Sequence, residues 1–204
     1  QSQAAMALGH MCRHAPAAEP LLAADAAPLL GQLLHAASPA VQLQAVYALG
    51  GLAATSGEGA AAVQRCGAVA PLVTLLLASP APDAKAHIAL TLAHAVRGDW
   101  KLVFNVGGFQ ALLDVLAVGT AAVQQGVSAA FAALLEDVHQ RQALLADLNS
   151  ISAVVGLLSS SDEVTVRHAS AALAALAAEP SAREVLYKLG TLSHIIRSLS
   201  AAQV

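Results

Sequence analysis

Histidines are the residues whose type and spacing come closest to a chemical site. The chain has eight of them. Two pairs, His10 with His14 and His87 with His94, are spaced so that both members of a pair share one face of a helix. A zinc site needs three or four ligands; the first pair has no carboxylate at a matching spacing, and Lys85 close to the second pair disfavours a cation. The sequence therefore predicts no metal site and no cofactor.

Sequence motifs for catalysis are not found. The glycines of residues 57–59 and 107–108 lack the lysine of a phosphate-binding loop, and such a loop would have to follow a strand. No Gly-x-Ser-x-Gly motif of a nucleophilic serine occurs. The adjacent carboxylates Asp162 and Glu163 suit the positive end of a helix dipole better than acid–base catalysis. We therefore predict that the chain is not an enzyme and takes no small-molecule substrate.

The composition is that of a folded helical protein. Of the 204 residues, 57% are hydrophobic and 11% charged, with 50 alanines and 33 leucines, so the chain can bury far more apolar surface than a disordered one. The longest apolar candidate, residues 67–78, is shorter than the roughly 20 residues that cross a bilayer and contains Pro71. The net charge of -3 gives no attraction for nucleic acid or an anionic membrane. We expect neither as a partner.

The two cysteines and the termini suggest an intracellular segment. Cys12 and Cys66 are too few for a disulfide framework and form no metal-binding pair, so we expect reduced thiols. The first residues carry neither a basic region nor a cleavage motif, so no signal peptide is expected. Because the sequence starts and ends abruptly, we expect a portion of a longer chain. The reduced thiols favour a location inside the cell, in the cytoplasm or on the cytoskeleton.

Alanines recur at one constant interval along the chain, which indicates an internal repeat. They are Ala7, Ala48, Ala89, Ala130 and Ala171, followed by Leu8, Leu49, Leu90, Phe131 and Ala172. We interpret each pair as part of the buried face of a long helix. Possible N-cap residues share the interval: Ser38, Ser79, Thr120 and Ser161. Pro39 and Pro80 follow the first two, as is typical of the first helical position.

Residues that tolerate a left-handed backbone recur at the opposite end of each unit. They are Gly67, Gly107, Asn149 and Gly190, with Ala24 at the corresponding place in the first unit. Each unit should contain a short, a medium and a long helix, as at residues 100–106, 109–116 and 121–136. Because such helices bury their apolar faces only by stacking, we predict an all-α solenoid. It would be a single array over residues 1–204, with partial repeats at 1–24 and 190–204 and whole repeats at about 25–66, 67–106, 107–148 and 149–189.

Three segments give the chain a resemblance to armadillo-repeat proteins. They are GAVAPLVTLLLASP at residues 67–80, SPAVQLQAVYALGGLA at 38–53 and SDEVTVRHASAALAALA at 161–177. The resemblance implies a right-handed superhelix with three helices in each repeat of about 41 residues. The alternative is the related HEAT array of two-helix repeats, which the separate short first helix disfavours.

In armadillo proteins the third helices line a groove that binds extended or helical peptides. Importin-like members hold the peptide backbone with Trp and Asn four residues apart; the matching pairs here are Met6 with His10, Tyr47 with Gly51, Ile88 with Leu92, and Ala129 with Ala133. No Trp–Asn pair is present, so a nuclear-import receptor for basic signals is not expected. One turn earlier, the predicted row reads Gln3, Gln44, Lys85, Gly126 and Arg167, with too few cations for a catenin-like basic groove.

Two aromatic residues are candidates for partner contacts. Trp100, the only tryptophan, has the spacing of a core residue. Tyr47 is predicted on the groove side, where its hydroxyl tolerates solvent, with burial between the long helices as the alternative. The groove residues expected to touch a partner are Met6, His10, Tyr47, Lys85, Ile88 and Arg167.

The resemblance implies a non-enzymatic scaffold for protein–protein interaction. Residues 7–30, with Arg13, His14 and Pro16, further resemble armadillo proteins of the motile-cilium central apparatus. This favours a structural component of a large assembly such as the ciliary axoneme, with microtubule-associated partners. The alternatives are a transient peptide-binding adaptor in the cytoplasm and a regulatory array of a larger enzyme.

Overall fold

The computed structural model of the chain describes residues 18–96, 101–116, 120–136, 138–145 and 147–201, together with Ala7. The predicted contacts of Met6 and His10, and the predicted burial of Trp100, lie outside these residues. The first helices of the units are α1 (Ala18–Ala23), α4 (Gly57–Arg65), α7 (Lys101–Asn105), α10 (Val138–Leu145) and α13 (Pro180–Lys188). The second helices are α2 (Ala26–Leu33), α5 (Val69–Ala78), α8 (Gly108–Leu116), α11 (Leu148–Gly156) and α14 (Thr191–Ala201). The third helices are α3 (Pro39–Thr55), α6 (Pro82–Ala95), α9 (Ala121–Leu134) and α12 (Glu163–Ala177).

The third helices stack side by side and form the spine of the solenoid. α3 packs on α6, α6 on α9, and α9 on α12. One large side chain from each fills the core between the layers: Leu49, Leu92, Phe131 and Leu173, each no more than 3% exposed. Phe131 meets Phe109 of α8 edge to face, with ring centroids 5.2 Å apart. The three-helix units confirm the predicted all-α solenoid.

The repeat is less regular than the predicted constant interval. Along the buried row Leu49, Leu92, Phe131 and Leu173, the first step is longer than that interval, the second is shorter and the third is slightly longer. The average stays close to the prediction, but the register shifts between neighbouring units. Two predicted core residues are consequently misplaced. Leu90 is 36% exposed and Ala171 is exposed, because each lies one or two positions away from the true buried row.

The two prolines at the start of α6, Pro80 and Pro82, explain the first shift. The predicted N-cap Ser79 and first-turn Pro80 lie before the helix; its N-cap is Ala81 and its first residue Pro82. A residue that precedes proline is driven out of the helical region, and Ala81 is extended, with φ -90° and ψ 122°. The helix therefore begins at the second of the two prolines, Pro82.

The other predicted N-caps are partly correct. Ser38 occupies the N-cap of α3 without a side-chain bond, and Thr120 caps α9, its hydroxyl accepting from the Val123 N–H. At α12 the N-cap is Asp162, not Ser161. The Thr165 hydroxyl and N–H donate to the Asp162 carboxylate at 2.7 and 2.8 Å, and these bonds lower the pKa of Asp162. A carboxylate is preferred here because the helix start is positive.

The turns between first and second helices use a left-handed backbone at four places. Gly67, Gly107 and Gly190 have φ of 73°, 70° and 70°, as predicted, and Asp25 has φ 49°. The predictions of Ala24 and Asn149 were wrong. Asp tolerates this backbone better than Ala, and Asn149 lies inside α11, whose N-cap is Asp147.

No single helix in the described ranges is long and apolar enough to cross a bilayer. α4 and α5 reach the required length and composition only as a pair, and they are bent by 81° at their junction.

Candidate functional site

The true register defines a continuous surface on the third helices, which we call the groove face. Three rows run across α3, α6, α9 and α12. The first row is Gln44, His87, Gly126 and His168, the second is Tyr47, Leu90, Ala129 and Ala171, and the third is Gly51, His94, Ala133 and Ala175. The rows are three to four residues apart on each helix, so they share one side of the spine. Nearly all of these residues are half-buried or exposed; Gly126 is the buried exception.

Tyr47 lies on the groove face, where it was predicted. It is half-buried, and its ring meets that of His87 on the next helix edge to face, with centroids 4.6 Å apart. The His87 Nδ1 lies 2.8 Å from the Asp83 carbonyl oxygen, one turn earlier. His87 is thereby held in place, and the two rings form one aromatic unit that bridges α3 and α6.

Ile88 does not lie on the groove face, and its predicted placement there was wrong. It is 2% exposed and packs in the core, at the same register as the buried residues Ala45, Val127 and Ala169. The error comes from the assumption of a constant interval, since α6 is displaced by two residues relative to α3. Leu90 occupies the place beside Tyr47 that Ile88 was expected to fill, and His87 occupies the place beside Gln44 that was expected for Lys85.

Lys85 lies at the edge of the spine rather than in the predicted row with Gln44. Its register matches Gln42 and Gln124, whose side chains bond to turns that precede the third helices: the Gln42 amide donates to the Ala36 carbonyl, and Gln124 accepts from Ser160, both at 2.9 Å. Lys85 is half-buried at that edge. The predicted row Gln44, Lys85, Gly126 and Arg167 is therefore not a row in the structure.

Arg167 is exposed on α12 and lies next to His168 of the groove face. The His168 Nδ1 is 3.4 Å from the Ser128 hydroxyl of α9. Burial lowers the pKa of His168, the nearby Arg167 charge lowers it further, and Asp162 partly opposes this. Because its ordinary pKa is 6.5, the imidazole is largely neutral at neutral pH, and Arg167 is the fixed positive charge at this end.

Carboxylates are scarce on the described third helices. Only Asp83 and Glu163 occur within them, both in the first turn, and α3 and α9 carry none. Small residues line the centre of the groove face at Gly126, Ala129 and Ala133. A helix or extended backbone can approach closely there. The face therefore offers an aromatic patch and a smooth centre, and Arg167 lies at its edge beside His168.

Sequence reasoning missed His87, Leu90, His94 and His168 as members of one surface. Their alignment depends on unequal steps between neighbouring third helices, which a single interval cannot reproduce. The signal that could have found them is the second proline, Pro82, since it sets the start of α6. Among the described residues no cluster of three or more His, Cys, Asp or Glu could hold a metal ion.

Comparison with known proteins supports the fold. No protein-family model and no curated protein sequence matches the chain. Among solved structures, computationally designed armadillo repeat proteins for modular peptide recognition are 25% identical, with TM-score 0.85 over 96% of this chain and 84% of theirs. An engineered protein is 27% identical, with TM-score 0.86 over 98% and 82%.

A third solved structure was determined with a ligand. It is a designed armadillo repeat protein in complex with the peptide (KR)4, 22% identical, with TM-score 0.82 over 96% of this chain and 82% of the other. These likenesses span nearly the whole chain and agree with the three-helix units described above. The chain therefore has the fold of an armadillo-repeat solenoid.

Proposed function

We propose that the chain is a non-enzymatic protein-interaction scaffold whose groove face binds an extended or helical segment of a partner protein. The observation that carries the proposal is the continuity of this face across four stacked helices, from the Tyr47–His87 unit to Arg167. Aromatic and arginine side chains dominate the energy of most protein interfaces. Here they stand at the two ends of a smooth centre made of Gly126, Ala129 and Ala133.

The chemistry of the face selects against a strongly basic partner. The designed neighbour binds a peptide of alternating Lys and Arg, whereas the described third helices here have carboxylates only at Asp83 and Glu163. A partner segment should instead place an apolar side chain against Tyr47 and Leu90 and a carboxylate near Arg167. Recognition then rests on shape and mixed apolar contacts.

The assembly that we propose is a stable structural one, with the ciliary axoneme and microtubule-associated proteins as the specific candidates. The small residues on α9 support it, since they let a neighbouring helix or backbone come close. The axonemal assignment itself rests on the resemblance of residues 7–30. A transient cytoplasmic adaptor is the competing function, and it differs in how its complexes respond to salt.

The experiment is affinity purification of the full-length protein from its native cells, with partners quantified by mass spectrometry at low and high salt. We expect stoichiometric cytoskeletal partners that persist in high salt, and we expect Tyr47→Ala to reduce their recovery by about tenfold. Tyr187→Ala is the matched control, because Tyr187 is 72% exposed and lies outside the groove face. Only soluble partners that dissociate in high salt would support the adaptor instead.

A peptide measurement tests the charge of the groove face separately. The (KR)4 peptide should show no saturable binding to the chain by fluorescence anisotropy. Tight binding would contradict the proposed selection against basic partners. Loss of the cellular partners in Tyr187→Ala, with no loss in Tyr47→Ala, would place the interaction elsewhere and refute the groove as the binding surface.

A further inference from the structure

A cavity of about 300 Å³ lies between α3 and α6, near the N-terminal ends of both helices. Leu43 and Val46 of α3 line one wall, and Ala84 and Ile88 of α6 line the other. The end of α5 and the turn that follows it complete the cavity. Both third helices belong to whole repeats, so the cavity lies within the array and not at either end of it.

The cavity adjoins the groove face. Leu43 lies one helical turn before Tyr47 on α3, and Ala84 lies one turn before His87 on α6, so each pair lies on neighbouring parts of one helix surface. The rings of Tyr47 and His87, with centroids 4.6 Å apart, bridge the two helices at this level. A partner segment that lies on the groove face at Tyr47 therefore comes directly beside the cavity.

The equivalent crevice between α9 and α12 is bridged by a hydrogen bond. There the Ser160 hydroxyl donates to the Gln124 side chain at 2.9 Å, which joins α9 to the turn before α12. In the true register, the equivalent pair between α3 and α6 is Gln42 and Ser79. No bond joins these two described side chains, since the Gln42 amide donates to the Ala36 carbonyl of its own unit at 2.9 Å. The crevice between α3 and α6 is therefore left unbridged.

The walls of the cavity are apolar and stiff. None of the described residues that line it is charged, and the polar ones are Gln42 and Ser79. An unpaired charge would be costly to bury there. Pro39 and Pro80 also line the cavity, and a proline ring fixes the backbone φ angle. Because sites for small molecules measure about 300–1,000 Å³, this volume suits one large side chain and not a whole helix.

We propose that the cavity receives one large apolar side chain, of Leu, Ile, Met, Phe or Trp, from the partner segment that lies on the groove face. The inference rests on the function proposed above and deepens it, because it names a residue type that the partner must carry beside Tyr47. The continuity with the groove face determines the occupant. Transfer of the side chain out of water stabilises the complex, and the stiff walls reduce the cost of ordering.

A phage library of random short peptides, selected on the 204-residue chain, is the probe for this inference. We expect the selected peptides to share one large apolar residue. Replacing that residue by Ala should weaken binding about tenfold in fluorescence anisotropy, as loss of a central anchor does. A photoreactive diazirine analogue of leucine at the shared position should crosslink to Leu43, Val46 or Ala84, as mapped by mass spectrometry.

A variant that fills the cavity gives the matching change in the chain. Ala81→Phe places a ring at the cavity, because Ala81 lines it and is exposed. It should weaken peptide binding about tenfold, and combining it with the Ala-substituted peptide should add little to either change. Ala121→Phe is the matched control, since Ala121 is exposed at the start of α9 and does not line the cavity. Both positions are exposed, so both variants should fold, which thermal melts check.

Three outcomes would overturn the inference. The first is a set of selected peptides that share no large apolar residue, and the second is crosslinking to residues outside the cavity. The third is self-association in sedimentation that Ala81→Phe abolishes, which would make a second copy of the chain the occupant. If the first outcome came with loss of peptide binding in Tyr47→Ala, the groove proposal would stand without the cavity. Peptide binding that survives Tyr47→Ala would instead refute the groove itself.

Discussion

Helix α6 meets its two neighbours through different kinds of contact, although a glycine lies at the centre of both. Towards α9, a Cβ built on Gly126 would stand 2.4 Å from the Ala86 carbonyl oxygen. Towards α3, a Cβ on Gly50 would stand 2.6 Å from the Thr91 hydroxyl oxygen. At the α6–α9 interface the close contact is with the backbone, which cannot move without shifting a helix. At the α3–α6 interface the close contact is with a side chain, which can rotate.

The difference shows which parts of the spine tolerate change. The Thr91 hydroxyl donates to the Val46 carbonyl oxygen at 3.3 Å, so the α3–α6 contact is adjustable at the expense of one hydrogen bond. No comparable adjustment is open to the Ala86 carbonyl, which belongs to α6 itself. The groove face is consequently less adjustable at the α6–α9 contact, beneath its smooth centre, than at the α3–α6 contact.

The largest expected effect tests the register on which this comparison rests. Leu92→Ala should lower the free energy of unfolding by about 2–5 kcal/mol, because it empties a fully packed site, and Leu49→Ala should do the same. Leu90→Ala should cost less than about 1 kcal/mol, since Leu90 is 36% exposed. Chemical denaturation of the three variants measures this. If Leu90→Ala and Leu92→Ala lost the same unfolding free energy, the observed register would be contradicted and the constant interval predicted from the sequence would be supported.

The second prediction separates the two glycines. Gly126→Ala should destabilise the chain by about 1–3 kcal/mol, the usual cost of overpacking. Gly50→Ala should be close to neutral, since the gain of up to about 1 kcal/mol in helix propensity offsets the displaced hydroxyl. Thermal melts of both variants give the comparison.

A double-mutant cycle sharpens this result. In a Thr91→Ala background, Gly50→Ala should become stabilising, because the atom it meets is gone. No side-chain change at Ala86 should rescue Gly126→Ala, because its contact is with the backbone. Rescue at position 86 would show that the α6–α9 interface is no more rigid than its neighbour.

The smallest effect concerns the α9–α12 interface, which is joined by the Ser128–His168 contact. The pKa of His168 is lower in the folded chain than its ordinary value of 6.5, so the unfolded chain binds the proton more readily. Stability should therefore be fully present above about pH 6.5 and decline as the pH falls below it. We expect the fall in melting temperature between pH 7.5 and 5.5 to be smaller in His168→Gln; an unchanged fall would refute this role.

The sequence by itself was sufficient for the architecture. Recurrent alanines, leucines and turn glycines report local helix formation and burial, and the left-handed Gly67, Gly107 and Gly190 lie where predicted. The predicted bounds of two helices, 109–116 and 121–136, were also close to the observed ones, Gly108–Leu116 for α8 and Ala121–Leu134 for α9. These features depend on short-range backbone preferences and on apolar periodicity, which a single sequence records.

Only the tertiary structure decided which residues share the groove face. A single interval placed Ile88 and Lys85 there and overlooked His87 and Leu90, because neighbouring repeats differ in length by a few residues. The turns between helices accommodate these differences in length, as at residues 79–82. When a third helix is shifted by two residues, different side chains lie on the groove face. The alignment of side chains across the spine is set by how the helices pack on one another.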